Sequence, residues 1–393
     1  MPLKLPVYLD NHATTRMDPR VLEAMLPWFS EEYGNASSRQ HAYGWRAEAA
    51  VQEGRAQVAE LVGAAPEEIV FTSGATESIN LALKGGAEAL ASKGKHVITS
   101  ATEHRAVLDC CTTLERWGMT VTVLPVDCLG VVDPESVRSA ITDRTILVSI
   151  MTANNEIGTI ADVATIGAIC RSRGVLFHTD AAQAAGKIPL NARAIGADLM
   201  SFSAHKMYGP KGIGALYIRS GLPRVRIEPQ MDGGGHERGM RSGTLNVPAI
   251  AGFGAAARIA LREMEHDAAA TGAMRDRLVA EVTARLDGVR LNGHPRRRLP
   301  NNANLTFSGI RADALMMDMK DLAVSSGSAC SSASPEPSHV LRAIGLPDEE
   351  VLASLRFGLG RFTTDEEVSY ASARLVAAVT ESRARMGQYA QVS

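Results

Sequence analysis

From about residue 66 to 220 the chain alternates short apolar runs with amphipathic stretches. The runs are EEIVFT, KHVITS, MTVTVLPV, TILVSIM, VLFHTD, DLMSFS and GALYIR. Each is of strand length and rich in β-branched or aliphatic residues, as strands buried on both faces must be. The stretches between them, 76–91, 104–117, 134–142 and 162–173, predict helices. Strand–helix alternation of this kind predicts an α/β fold with a mostly parallel sheet flanked by helices. Ahead of it, 18–29 and 43–62 also predict helices. The first opens at Asp18-Pro19, a cap followed by proline, and the second stops at Gly63.

Beyond the alternating region the pattern changes. Residues 229–248, PQMDGGGHERGMRSGTLNVP, are too irregular for a core element, and an alanine-rich helix follows from 249 to about 287. The rest is mixed: NANLTFSG, a helix near 312–320, LAVSSGSACSSASPEPS, ASLRFGLG and a last helix from 364. This C-terminal third predicts a smaller α+β domain. No internal repeat is visible.

At 393 residues the chain has room for one large domain and a smaller one. Its 41 Lys plus Arg against 43 Asp plus Glu leave a balance of −2, without the basic excess of a nucleic-acid binder. No apolar run approaches a membrane span, and MPLKLPVYLD has no signal-peptide core, so a cytoplasmic protein is expected. The five cysteines, Cys110, Cys111, Cys128, Cys170 and Cys330, have no zinc-like spacing and do not suggest a disulfide framework.

In an open parallel sheet, ligands bind beyond the carboxyl ends of the strands. Five such ends here are polar. EEIVFT leads into Ser73, Gly74, Ala75, Thr76 and Glu77, which open a helix whose backbone N–H groups suit a phosphate. KHVITS leads to Glu103 and His104, TILVSIM to Asn154, Asn155 and Glu156, VLFH to Asp180 and Gln183, and DLMSFS to His205 and Lys206. Each has an ordinary reading as a cap, a turn or a core histidine. A shared pocket explains all five together. A lysine beside a pocket can bind an aldehyde as a Schiff base, and an aspartate can pair with a protonated pyridine nitrogen. A glutamine amide can meet a ring hydroxyl, an imidazole can stack on the ring, and Ser203 with His205 can help hold a phosphate. Those needs describe pyridoxal 5′-phosphate. No nucleotide-binding glycine motif follows a strand, and no nucleophile elbow is present.

The motifs YLDNHATT, GNASS, FTSGATES, ATEHRAVL, ANNEIG, HTDAAQAAGK, SFSAHKMYGPKG, GGGHERGMRSGT, SSGSACSSAS and LRFGLGRFTTDEE run nearly the whole chain. In them the sequence resembles the NifS/IscS-type cysteine desulfurases, pyridoxal phosphate enzymes of fold type I and aminotransferase class V. The resemblance implies that Lys206 binds the cofactor, Asp180 pairs with its pyridine nitrogen, Gln183 bonds its ring hydroxyl, and His104 stacks on the ring and shuttles protons. Ala75, Thr76, Ser203 and His205 would hold the phosphate. Asn155 and Arg356 would anchor the substrate carboxylate, the arginine by a forked pair of bonds. Thr244 would reach the phosphate of the neighbouring subunit in a homodimer with shared active sites. The organisation expected is a large cofactor-binding domain at 15–258 and a small one from 1–14 and 259–393, with a mobile cysteine loop at 325–338.

Cys330 decides among the activities such a cofactor supports. Its small and proline-rich neighbours offer no apolar periodicity to bury it, unlike an inert core cysteine. The expected reaction takes L-cysteine to L-alanine and leaves the sulfur on Cys330 as a persulfide. An acceptor or iron–sulfur scaffold protein would then receive it. In some relatives the loop cysteine also helps hold an iron–sulfur cluster in transit, which makes Cys330 a candidate transient ligand. The rival readings are a selenocysteine lyase or an aminotransferase on the same scaffold, and a sulfur-delivery scaffold without its own chemistry.

Overall fold

The computed structural model describes residues 3–326 and 337–392, with side chains as far as residue 385. Seven strands form the main sheet: β1 (Ile69–Thr72), β2 (His96–Ser100), β3 (Thr120–Leu124), β4 (Thr145–Ser149), β5 (Leu176–Asp180), β6 (Leu199–Ser203) and β7 (Gly214–Ile218). Their spatial order is β1-β7-β6-β5-β4-β2-β3. Neighbours from β6 to β3 are parallel, and β7 alone runs against the rest, antiparallel to β6 and β1. Every residue of β1, β2, β4, β6 and β7 is buried, which accounts for their mainly apolar character without strict alternation. Because β7 is reversed, its start lies beside the end of β6. Gly214 opens it so close to the turn after β1 that a Cβ there would stand 2.6 Å from the Gly74 Cα.

The helices follow the predicted pattern with two corrections. The stretch 18–29 divides into Pro19–Met25 and Pro27–Ser30, since Pro27 has no N–H to continue the ladder. The stretch 76–91 begins at Ala75 and carries a widened π turn, Leu81–Gly85, between Ala75–Asn80 and Gly86–Ala89. The alanine-rich helix runs from Val247 to Thr283, two residues earlier than its composition suggests. Asn246 caps it, accepting from the Ala249 N–H at 3.1 Å, and Pro248 fits the first turn.

That helix links two cores. Ala249, Ile250, Phe253 and Ala260 pack with the main sheet, whereas Leu278 and Val282 pack with a second cluster. The second cluster is built on a four-stranded antiparallel sheet of β8 (Val289–Leu291), β9 (Asn302–Phe307), β10 (Ser325–Ser326) and β11 (Ser354–Gly358), in the order β10-β11-β9-β8. Val7 and Leu9 belong to it, through a two-residue strand, Val7–Tyr8, paired with Leu322–Ala323. The chain therefore starts in the second core and reaches the end of the main sheet by residues 10–15.

The exposed edge of β1 is closed by charge. Arg55 and Glu237 are buried and paired at 2.6 Å. Glu237 also accepts the Phe71 N–H at 2.7 Å, while Arg55 and Arg238 donate to the Ile69 carbonyl at 2.8 and 2.7 Å. The edge groups of β1 are thereby satisfied by the Gly/Arg-rich stretch, which is pinned to the sheet in return. Removing one partner leaves the other charge buried and unpaired. Glu237→Ala is expected to lower the unfolding free energy by about 3–5 kcal/mol, measured by urea denaturation; a loss below about 1 kcal/mol, the range of a surface pair, would contradict this.

Candidate active site

A cavity of about 560 Å³ opens where these strand ends meet, within the ordinary size range for small-molecule sites. Ala75, Thr76, His104, Asn155, Asp180, Gln183, Ser203, His205 and Lys206 all line it. The reversal of β7 adds Lys211 and Gly212 to the same wall, and the N-terminal segment adds His12, Ala13 and Thr14.

Lys206 follows β6 in a short 3-10 turn, and its Nζ donates to the backbone carbonyls of His12 and Ala13, the latter at 2.7 Å. These two carbonyls accept from the amine and set its position at the cavity wall. Asp180, at the end of β5, is 4 % exposed and accepts the Ala182 N–H at 2.8 Å. Burial pushes its carboxyl above the ordinary value, against the pull of His104 and Lys206. A cationic partner in the cavity is what would hold it ionised.

His104 caps the helix Arg105–Arg116, its Nδ1 accepting the Ala106 N–H at 3.1 Å. In the neutral ring the proton then resides on Nε2. The turn after β4 is shaped by Asn154, whose Nδ2 donates to the Thr102 carbonyl at 2.9 Å and whose Oδ1 accepts from the N–H groups of Glu156 and Ile157. That leaves Asn155 on the cavity wall. On the opposite side, the N–H groups of Ala75 and Thr76 are first in their helix and cannot be satisfied within it. Glu77 takes the Ser73 N–H at 2.7 Å and pairs with Arg241 at 2.7 Å, tying the Gly/Arg-rich stretch to this corner. His205 is held down to about 4 by burial and by Lys206, Lys211 and Lys187, and its Nδ1 lies 3.1 Å from the Thr14 Oγ1.

Arg356, in β11, is placed differently from a residue of the cavity wall. It is 1 % exposed; one Nη donates to the Asn155 carbonyl at 3.0 Å and the other pairs with Asp10 at 2.9 Å, while Nε has no partner among the described residues. Thr244 is exposed and does not line the cavity. Cys330, and most of the stretch 325–338, lie outside the described residues. Of the other cysteines, Cys110, Cys111 and Cys170 are buried with thiols pushed up to about 11, 12 and 12 by burial, and Cys128 is exposed. Among the described residues no cluster of His, Cys, Asp and Glu could hold a metal ion.

Two contributors lay hidden within quoted motifs. His12, in YLDNHATT, is 1 % exposed, accepts Lys206 on its carbonyl, and lies 2.9 Å through Nδ1 from the Gln183 Oε1. A polar run directly after the apolar Val7–Leu9 was the signal for it. Lys187, the last residue of HTDAAQAAGK, is a buried lysine against Gln183.

A family model for class-V aminotransferases matches residues 7–370. A cysteine desulfurase IscS from Anaeromyxobacter sp. (strain Fw109-5) is 55 % identical over 390 residues, 99 % of this chain and 96 % of that protein. One from Klebsiella pneumoniae (strain 342) is 56 % identical over 370 residues, 94 % and 91 % of the two chains. Among solved structures, a NifS-like protein superposes with a TM-score of 0.89 at 39 % identity, covering 95 % of this chain and 99 % of its own. The fold and the pocket thus define a pyridoxal phosphate-dependent enzyme of fold type I. Within that class the chain belongs to the aminotransferase class-V family, among the cysteine desulfurases of the IscS kind.

The residues present fit that cofactor. A buried carboxyl in need of a cation, an amine held by neutral carbonyls and a helix start with unsatisfied N–H groups face one cavity. Among the described residues no helix is long and apolar enough to cross a membrane.

Behind His104, the Glu103 carboxyl accepts from the Ser100 hydroxyl at 2.9 Å and the Met151 N–H at 2.8 Å, its second oxygen being buried without a partner among the described residues. Burial pushes it up to about 8 from 4.5. Folded protein therefore keeps a proton that unfolded chain releases, so this contribution to stability is lost as pH rises from about 4.5 to about 8. Glu103→Gln is expected to flatten the fall in stability across that window, by up to about 1.4 kcal/mol per pH unit, read from urea midpoints. Parallel pH profiles in the two proteins would contradict the assignment.

Proposed function

We propose that this chain converts L-cysteine to L-alanine and carries the released sulfur on Cys330 as a persulfide for transfer to an acceptor protein, in iron–sulfur cluster assembly or another thio-cofactor route. The observation that carries the reading is the convergence of nine expected residues on one cavity at the strand ends. When bound, pyridoxal phosphate supplies an aldehyde for the substrate amine and an electron sink for the bond changes at Cα and Cβ.

The chain's own groups do the rest. Lys206 binds the aldehyde and, once displaced, moves the proton at the substrate Cα. Asp180 would pair with the pyridine nitrogen, Gln183 would bond the ring oxygen, and His104 would stack on the ring and move protons to and from the substrate. Ala75, Thr76, Ser203 and His205 receive the phosphate. Asn155 and Arg356 anchor the substrate carboxylate, one Arg356 Nη also holding the Asn155 carbonyl. The Cys330 thiolate attacks the substrate sulfur. An S–S bond forms as Cβ–S breaks, the bonding pair stays with Cβ, and a proton completes the methyl group of alanine.

The two hydrophobic cores are taken as the two domains, 15–258 and 1–14 with 259–393. A homodimer in the cytoplasm, with Thr244 facing the neighbour's phosphate site, completes the reading. Exposed Leu26, Phe29, Tyr33 and Trp45 near the N-terminus support such a contact. Cys330 as a transient iron–sulfur ligand belongs to the same proposal.

Cys330→Ser is expected to keep the cofactor's visible absorption while alanine formation from L-cysteine falls at least about a hundredfold, the loss expected when an essential nucleophile is removed. Normal turnover by that variant, or turnover that requires a keto acid, would favour an aminotransferase; strong preference for selenocysteine without need of the thiol would favour a lyase.

A further inference from the structure

Lys187 is a charged side chain in a place that rarely admits one. It is 7 % exposed, and among the described residues it has no ion-pair partner. The one hydrogen bond it makes among them runs from Nζ to the Gln183 Oε1 at 3.2 Å. Beyond it lies a void of about 10 Å³ bordered by Tyr208, Asp267, Thr271 and Asn301. Asp267 is engaged by Arg361 at 2.8 Å, so the nearby carboxylate is already paired. The other charges that act on Lys187 are Lys206 and Arg356, both positive. Burial and these neighbours push its amine down to about 7. A buried ammonium needs a counter-charge, and none among the described residues is paired with it.

The hydrogen-bond directions show where one would act. Nζ of a protonated lysine only donates, so the Gln183 atom facing it is the carbonyl oxygen. The same oxygen lies 2.9 Å from the His12 Nδ1, which must then carry its proton; burial and nearby cations keep that ring neutral. The Gln183 Nε2 gives one proton to the His12 carbonyl at 3.0 Å. Its second N–H remains for the cavity that Gln183 lines. Charge on Lys187 draws electron density toward Oε1 and makes that N–H a better donor.

We propose that Lys187 is a positioning residue for the cofactor, its ammonium group acting through the Gln183 amide to hold and strengthen the N–H that meets the cofactor's ring oxygen. This rests on the reading in which Gln183 faces that oxygen. An anionic ring oxygen is then the distant counter-charge of Lys187, and Gln183 is the link between them.

The test compares wild type, Lys187→Met, Lys187→Gln, Gln183→Leu and the Lys187→Met/Gln183→Leu double variant, each prepared without cofactor and titrated with pyridoxal phosphate. Two quantities are read: the half-saturating concentration, and the pH midpoint of the visible band of the bound cofactor. Lys187→Met is expected to weaken binding roughly 3- to 10-fold. Its pH midpoint should rise by about half to one unit, because a positive charge near the Lys206 nitrogen has gone. Lys187→Gln keeps a donor without the charge, so it should restore part of the affinity and none of the midpoint. In the Gln183→Leu background the Lys187 substitution should weaken binding no further. Lys187→Met with wild-type affinity and midpoint overturns the proposal, as do effects of the two substitutions that simply multiply. A lowered melting temperature with an unmoved midpoint assigns Lys187 to packing and overturns it too. Should Lys187→Met not fold, the midpoint of Lys187→Gln decides. Wild-type protein that forms no visible band would instead defeat the functional reading, leaving the two failures distinct.

Discussion

Two backbone carbonyls, those of His12 and Ala13, hold the amine of Lys206 at the end of β6. The rest of the site is organised by that constraint. Carbonyl oxygens accept from the amine and fix its direction, and an amine placed in this way beside a cavity is positioned to meet an aldehyde. The arrangement requires the N-terminal segment to lie across the sheet end. It does so because Val7 and Leu9 are anchored in the second core and because Thr15 bonds the His205 carbonyl through both its N–H and its hydroxyl. The second core thus acts on the site through the position of residues 10–15.

A gradient of charge follows from the same geometry. Lys206, Lys187 and Arg356 form a positive group within the low-dielectric end of the sheet, and Asp180, Glu103 and Glu156 form a negative one beside His104. Burial pushes the Glu156 carboxyl up to about 7, and the Ser338 hydroxyl donates to it. Burial draws Lys187 on one side, and Asp180, Glu103 and Glu156 on the other, toward their neutral forms. An anionic phosphate and ring oxygen on the positive side would favour the charged form of Lys187, and a protonated ring nitrogen on the negative side the charged form of Asp180. The pocket is in this sense complementary to one polarised ligand.

Much of this was legible in the amino-acid order because it is local. The apolar runs marked the strands, and the polar stretches after five of them marked the cavity. Asp180, Lys206 and His104 could be read without knowing how the chain folds back. What could not be read depends on contacts between distant residues. Pro27 split a helix that periodicity had drawn whole. Nothing in the order of residues set Lys187 apart, because its role depends on packing against Gln183. The bonds of Arg356 to the Asn155 carbonyl and to Asp10 join positions more than two hundred residues apart and could not be read either. His12 lies in a quoted motif, but its link to Gln183 spans 171 residues.

The central claim is that the amine at position 206, and no other, receives the cofactor's aldehyde. It is tested most directly by loading the protein with pyridoxal phosphate, reducing with borohydride, and mapping the phosphopyridoxyl group by peptide mass spectrometry. The account predicts the modification on the peptide that contains Lys206 and nowhere else. Label on Lys187 or Lys211, or no label at all, would contradict it.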